Sequence, residues 1–452
     1  PLFGALLTPL KRIMRVLYYA ALFGITLSNI ASLVFHGYDT QPIRFGTWFI
    51  FSLDVYSMAF AVLLNVCWAL TVIYSHDYMR YEFQKRAVYF CKVFSAALSL
   101  IVATGLAGNL FTIFFFYTLS IPMIYPLITM RKTQESFSAG KFYLRSTLGP
   151  AICLLLPALL YLNCWFLPFQ DISIRNIIPH NTAASLILGA IILGFSRNCI
   201  APFYAWLPKS AVAPGPVSAL IHSVGAVHTS TIAVLKIGVY VYGIEYLSSL
   251  SDNFFETGWL LYLCGGTAVY TALRAYKASN LKKRFSFSTV GQLSYVITAI
   301  LVGTVGSVQG AMLHIITHAL AKINLFFSVG MLHSVYGTAE APAVAKIIPK
   351  HRLLAVAMAI SGLSIAGFPM LAGYYSKHLM LLEEINTHHY AAAACLMAGS
   401  ILNFVYIWPV IRAALWGKSE AGFIAQKLPR GMSLAIFITA VLVLLAPWVL
   451  PI

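Results

Sequence analysis

What most restricts this chain is the recurrence of long apolar runs from one end to the other. A helix needs about 20 predominantly apolar residues to cross about 30 Å of hydrocarbon. Runs of that kind fall at 13–35, 47–74, 86–105, 108–129, 146–167, 181–201, 217–247, 257–275, 285–303, 307–334, 353–381, 391–413 and 432–450. Between them too few charges remain to coat a water-facing exterior: 60% of residues are hydrophobic, 10% are charged, and the mean hydropathy is +0.81. The expected fold is all-α, a polytopic membrane bundle of about 13 spans forming a single transmembrane domain over 1–452, with the lipid bilayer as its solvent. A net charge of +17 invites comparison with nucleic-acid binders. No basic module with interleaved aromatics is present, however, and the charges sit between the apolar runs, so the membrane surface accounts for them.

Short cytoplasmic loops collect Lys and Arg. With a cytoplasmic N-terminus, one side receives nearly all of them, from Lys11 and Arg12 through Arg80, Arg131, Arg197, Lys282 and Arg352 to Arg430. The other receives only Arg44 and Arg175, together with acidic Glu245, Asp252, Glu256, Glu383 and Glu384. One miscounted span in the middle would reverse every later loop, so the asymmetry supports the count and puts the C-terminus outside.

Four basic residues escape that tally: Lys92, Lys236, Lys322 and Lys377. Lys92 lies near the start of a span and is expected to snorkel. The others are deeper, where a charge must face the bundle interior and find a partner or water. For Lys236 a packing role, its head bonded to backbone carbonyls, stands level with a pathway role. His314, His318 and Lys322 recur every four residues and therefore share one helical face. An imidazole can accept a proton on one side and donate on the other, so the row reads as a proton wire rather than three separate packing contacts.

Two runs carry helix breakers beside ionisable groups. Pro202–Ser230 holds Pro208, Pro214, Gly215 and Pro216 ahead of His222 and His228, and Lys377 follows Pro369 and Gly373. Broken helices survive in hydrocarbon only where protein or a wet cavity satisfies the freed backbone, and one in each half of a chain is the signature of an inverted repeat with an ion site in each half. Asp54, at a helix start, either caps it or pairs with a basic residue, and the cap is expected. The seven cysteines lie in or beside apolar runs without CxxC spacing and read as small core hydrophobes. No nucleotide, haem, iron–sulfur or metal motif is visible, so no cofactor is expected.

The words AGNLFTIFFFY (Ala107–Tyr117), APFYAWLPKSAVAPGPVSALIHSVGAV (Ala201–Val227), STVGQLSYV (Ser288–Val296), HIITHALAKINLFF (His314–Phe327) and Gly367–Lys377 resemble the antiporter-like membrane subunits. That family includes the Mrp cation/proton antiporter subunits, whose D branch is nearest in wording, and the proton-pumping subunits of respiratory complex I. The resemblance implies about 14 transmembrane helices, against the 13 counted, so an N-terminal helix is expected to be missing. It implies two inverted repeats, here about 86–247 and 257–413, each with a broken helix, and a polar axis along the membrane plane. Lys322 matches the lysine that passes protons between half-channels, His314 and His318 the histidines beside it, Lys377 the lysine of the second broken helix, and His222 a histidine of the first. Where the family has a glutamate after the tyrosine of its FxFYE word, paired with a lysine on the first broken helix, this chain reads Thr118 and His228. An altered first half-channel follows.

The function implied is proton translocation within a multi-subunit cation/proton antiporter, with H⁺ and Na⁺ as the ions, sister membrane subunits as partners, and a bacterial inner (plasma) membrane as the setting. A membrane subunit of a complex I-like NADH:quinone oxidoreductase, in a bacterial or mitochondrial inner membrane, or a degenerate structural subunit of either, is the alternative.

Overall fold

The computed structural model describes residues 42–417 and 426–449; the span expected at 13–35 lies outside them. Among the described residues nine helices are long and apolar enough to cross a membrane, and the chain is an integral membrane protein built almost wholly of helix. A short antiparallel hairpin, β1 (Ile43–Phe45) and β2 (Phe49–Phe51), precedes them.

The helices run in order as α1 (Val55–Glu82), α2 (Ala87–Gly105), α3 (Leu110–Ile128), α4 (Gln134–Leu162), α5 (Asn181–Gly194), α6 (Val217–Tyr242), α7 (Trp259–Lys277), α8 (Leu281–Val302), α9 (Val305–Tyr336), α10 (Arg352–Ala366), α11 (Ala372–Asn386), α12 (Tyr390–Trp416) and α13 (Arg430–Val449). Three of them form the centre. The most apolar window of α8 is 100% buried, that of α9 94% and that of α6 89%, whereas the windows of α2, α4, α12 and α13 are 39% buried and turn most of their surface outward. A helix hydrophobic all round belongs either inside a bundle or against lipid, and here burial separates the two cases.

Two spans lie elsewhere than hydropathy places them. The second is displaced from 47–74 to Val55–Glu82, because the hairpin takes the first residues and Asp54 caps the helix, accepting from the Ser57 amide at 3.0 Å. Its polar last turns stay helical because tertiary partners hold them. Asp77 accepts from the Gly431 amide at 2.7 Å, and Glu82 from Arg131 at 2.8 Å. The fifth, expected at 146–167, begins at Gln134 instead. Lys141 and Arg145 face outward there while Tyr143 and Thr147 pack inside, so charges that lower the mean hydropathy do not stop the helix.

The two breaks are real interruptions. Between α5 and α6 the chain passes through short single turns at Ser196–Asn198, Phe203–Ala205, Trp206–Lys209 and Ser210–Val212. Between α10 and α11, Gly367 ends the first helix in a left-handed conformation (φ +86°) and its amide bonds back to the Leu363 carbonyl at 3.1 Å. Glycine suits that position because it carries no Cβ to clash.

Candidate functional site

The centre of the bundle holds a row of three imidazoles, two of them joined by a hydrogen bond. His228, on α6, reaches across to α9, where its Nε2 lies 3.0 Å from His318 Nδ1; its own Nδ1 is 2.9 Å from the Val224 carbonyl. One turn back on α9, the ring of His314 stacks 6.1 Å from that of His318. His314 then contacts two further helices: Nε2 sits 3.1 Å from Gln292 Oε1 on α8, and Nδ1 sits 2.9 Å from Ser376 Oγ on α11. Ser376 is the immediate neighbour of Lys377. Four helices thus converge on one buried line, and every member is 3% exposed or less up to Ser376.

Both lysines of this line end on carbonyl oxygens. Lys322 Nζ donates to the Phe285 carbonyl at 2.9 Å, and Lys377 Nζ donates to the Ile365 carbonyl at 2.7 Å. Ile365 belongs to the last turn of α10, whose carbonyls lose their intrahelical donors at the break. The interruption therefore supplies Lys377 with its acceptor, which is how the sequence's Pro369 and Gly373 bear on the site. Among the described residues neither lysine forms an ion pair with a carboxylate.

The row is connected by side chains but not by open space. A gap lined by Gln292, His314, Thr317, His318, Ser364, Ile365 and Gly373 runs beside it and is too narrow for a water molecule. His318 Nε2 faces no hydrogen-bond partner among the described residues. Proton passage along the full line therefore requires some widening that admits water, since a donor or acceptor at van der Waals distance relays nothing.

Other residues marked in the sequence sit elsewhere. His222 is buried in the first, π-helical part of α6, packed edge-on against Trp206 at 5.9 Å, with neither ring nitrogen bonded among the described residues. Lys236 stands at the opposite end of α6 and is 0% exposed. It donates to Asp54 at 2.8 Å, to Ser57 Oγ at 2.5 Å and to the Ala107 carbonyl at 2.6 Å. Asp54 is consequently both cap and counter-ion, so the two roles weighed for it are held together. Thr118 turns back on its own helix, donating to the Phe114 carbonyl at 2.7 Å; it makes no hydrogen bond to His228 among the described residues. Lys92 is exposed.

Four site residues escape sequence reasoning. Arg197 and Lys282, counted there as loop charges, are 0% and 5% exposed. The guanidinium of Arg197 lies 4.2 Å above the Tyr117 ring and donates to the Tyr117 carbonyl at 3.4 Å. The irregular run between Gly194 and Pro202 is the available hint, because a charge inside a broken segment need not be in a loop. Gln292, a lone amide within an apolar helix, offers a similar one. Ser376 offers none, since small hydroxyls are common on packed membrane helices.

A family model described as NADH:quinone oxidoreductase/Mrp antiporter, transmembrane, matches residues 107–403, well over half the chain. The chain belongs to that family. This antiporter-family chain is 23% identical to the D-type subunit of the Na(+)/H(+) antiporter of Alkalihalophilus pseudofirmus, over 81% of this chain and 73% of that protein. In fold it is similar to a chain of the membrane-bound sulfane sulfur reductase, an archaeal respiratory membrane complex, with a TM-score of 0.85 at 20% identity, covering 99% of this chain and 93% of that one. It is also similar to a chain of the Mrp complex from Dietzia sp., with a TM-score of 0.78 at 15% identity, covering 97% and 90%. These relatives belong to multi-subunit membrane complexes.

Proposed function

We propose that this antiporter-family chain is a proton-translocating subunit of an Mrp-type cation/proton antiporter, exchanging H⁺ for Na⁺ beside sister membrane subunits in a bacterial plasma membrane, with its N-terminus on the cytoplasmic side. The observation that carries the proposal is the buried line His228–His318–His314–Ser376 with Lys377 at its end and Lys322 one turn from His318. Imidazoles placed nitrogen to nitrogen can exchange a proton and reset by tautomer. A lysine held only by carbonyls can give up its proton without leaving a carboxylate unpaired.

The same reading assigns two repeats, about 86–247 and 257–413, and the breaks at 195–216 and 367–371, one within each, support it. It also keeps an altered first half-channel. Thr118 is turned to its own helix, and the Arg197 guanidinium occupies the interior beside Tyr117. Lys236, a deep lysine of that half, is held in an ion pair with Asp54.

In sealed vesicles containing the assembled complex, Lys322→Ala should abolish Na⁺-dependent proton flux, and retention of wild-type flux would sink the proposal. A second reading is a subunit of a redox-driven complex, favoured by the higher fold similarity to the sulfane sulfur reductase chain. Co-purification with electron-carrying subunits would select it; co-purification with antiporter-type membrane subunits alone would select the first.

A further inference from the structure

Glu384, near the end of α11, is a buried acid that the imidazole line does not use. It is 0% exposed, and among the described residues neither carboxylate oxygen has a hydrogen-bond partner. The charge tally along the sequence puts it in an exterior loop instead. An ionised carboxylate with no donor is among the costlier things a membrane interior can hold, so such a group needs a reason to be there.

Its surroundings supply one. Glu384 lies seven residues, two helical turns or about 10 Å, beyond Lys377 on the same face of α11. The phenol of Tyr295 lies near both. Lys377 Nζ is 5.6 Å from the centre of that ring, the phenol is within reach of the Glu384 charge, and Tyr295 Oη itself has no hydrogen-bond partner among the described residues. Gly399 on α12 makes the room, because a Cβ there would collide with Tyr295 Oη.

Near this end of α11 a cavity of about 340 Å³ opens at the protein surface, lined among others by Ser251, Asp252, His388, His389 and Cys395. Two of its lining residues touch Glu384's surroundings directly. The His389 amide donates to the Glu384 carbonyl at 2.8 Å while its Nε2 lies 2.9 Å from Ser251 Oγ, and Cys395 is close enough to feel the carboxylate charge. The carboxyl therefore lies near one residue of the cavity lining, Cys395, and its helix position is two turns from the lysine that ends the imidazole line.

We propose that Glu384 is the proton-exchange group between Lys377 and this surface cavity, making it the mouth of the second half-channel. The proposal rests on the proton-translocating reading above. In the outward direction the Lys377 ammonium passes its proton to the Glu384 carboxylate through water admitted beside the Tyr295 hydroxyl when the packing there loosens. This leaves a neutral amine and a carboxylic acid, with the phenol unchanged. The acid then releases its proton to water in the cavity, beside Asp252 and the His388 and His389 rings.

The test uses the assembled complex in sealed vesicles and compares Glu384→Gln, Glu384→Asp and Lys322→Ala. Glu384→Gln should lower proton flux at least tenfold and Glu384→Asp should restore the greater part of it, a rescue that a packing role would not show. Wild-type flux in Glu384→Gln, with flux lost in Lys322→Ala, overturns this inference alone; wild-type flux in Lys322→Ala overturns it together with the reading it rests on. Should Glu384→Gln not assemble, a hydrophobic carbodiimide applied to the wild-type complex decides. Loss of flux in step with modification of Glu384, located by peptide mass, supports the assignment, and full modification without loss of flux, or loss with Glu384 unmodified, refutes it.

Discussion

At the scale of single residues, the most constrained contact is the ion pair Lys236–Asp54, whose two partners lie 182 positions apart in sequence and 2.8 Å apart in space. Each charge is buried, and each is satisfied by more than the other: Asp54 accepts from the Ser57 amide and from the Ser52 and Ser57 hydroxyls, and Lys236 fills its three donors. Removing one member strands the other, which costs about 3–5 kcal/mol, whereas replacing both with apolar groups of similar volume is often close to neutral. Asp54→Asn should therefore destabilise the chain by an amount in that range in chemical denaturation from detergent micelles, and Asp54→Leu combined with Lys236→Met should recover most of it. Equal losses in the single and double variants would show that packing, not charge, holds this corner. Helical spacing alone makes His314, His318 and Lys322 legible as one face. It cannot say what each ring nitrogen meets, because the partners Gln292, Ser376 and His228 come from positions 22, 62 and 90 residues away.

At the scale of elements, the break between α10 and α11 does the most to shape the site. Gly373 in the first turn of α11 sits against the Ser364 carbonyl so closely that a Cβ would collide with it. That approach brings Ser376 to His314 and Lys377 to the Ile365 carbonyl. Gly373→Ala should push α11 away and break both contacts, lowering proton flux by at least tenfold. Adding His314→Ala to Gly373→Ala should then cost little more, since two changes that remove one interaction are not additive. Additive losses in that cycle would mean that the glycine acts elsewhere. The breaks themselves are legible, because Pro and Gly inside an apolar run have few other uses in lipid. The two ends of α1 are not. Hydropathy averages over a window and is blind to tertiary partners, so it misses both the hairpin ahead of Asp54 and the polar turns that Arg131 and Gly431 hold helical.

Across the whole molecule, the three most buried helices are α6, α8 and α9, and a hydrogen bond between imidazoles, His228 on α6 and His318 on α9, lies among them. A single packed seam can carry protons only if it opens and closes, and the gap beside His314 and His318, too narrow here for a water, marks where it closes. A water needs roughly 10–15 Å³ for its centre and two to four polar partners; Gln292, Thr317, Ser364 and the two rings would provide those partners once α9 and α10 part slightly. Holding these helices together should then stop transport without touching any titratable group. Thr317→Cys with Ser364→Cys, joined by a short bifunctional thiol reagent, should bring proton flux near zero, and a cleavable form of the reagent should return it on reduction, while either single cysteine treated alike keeps most of its activity. Flux that continues through the joined pair would mean that protons cross this subunit by a line that does not pass between α9 and α10.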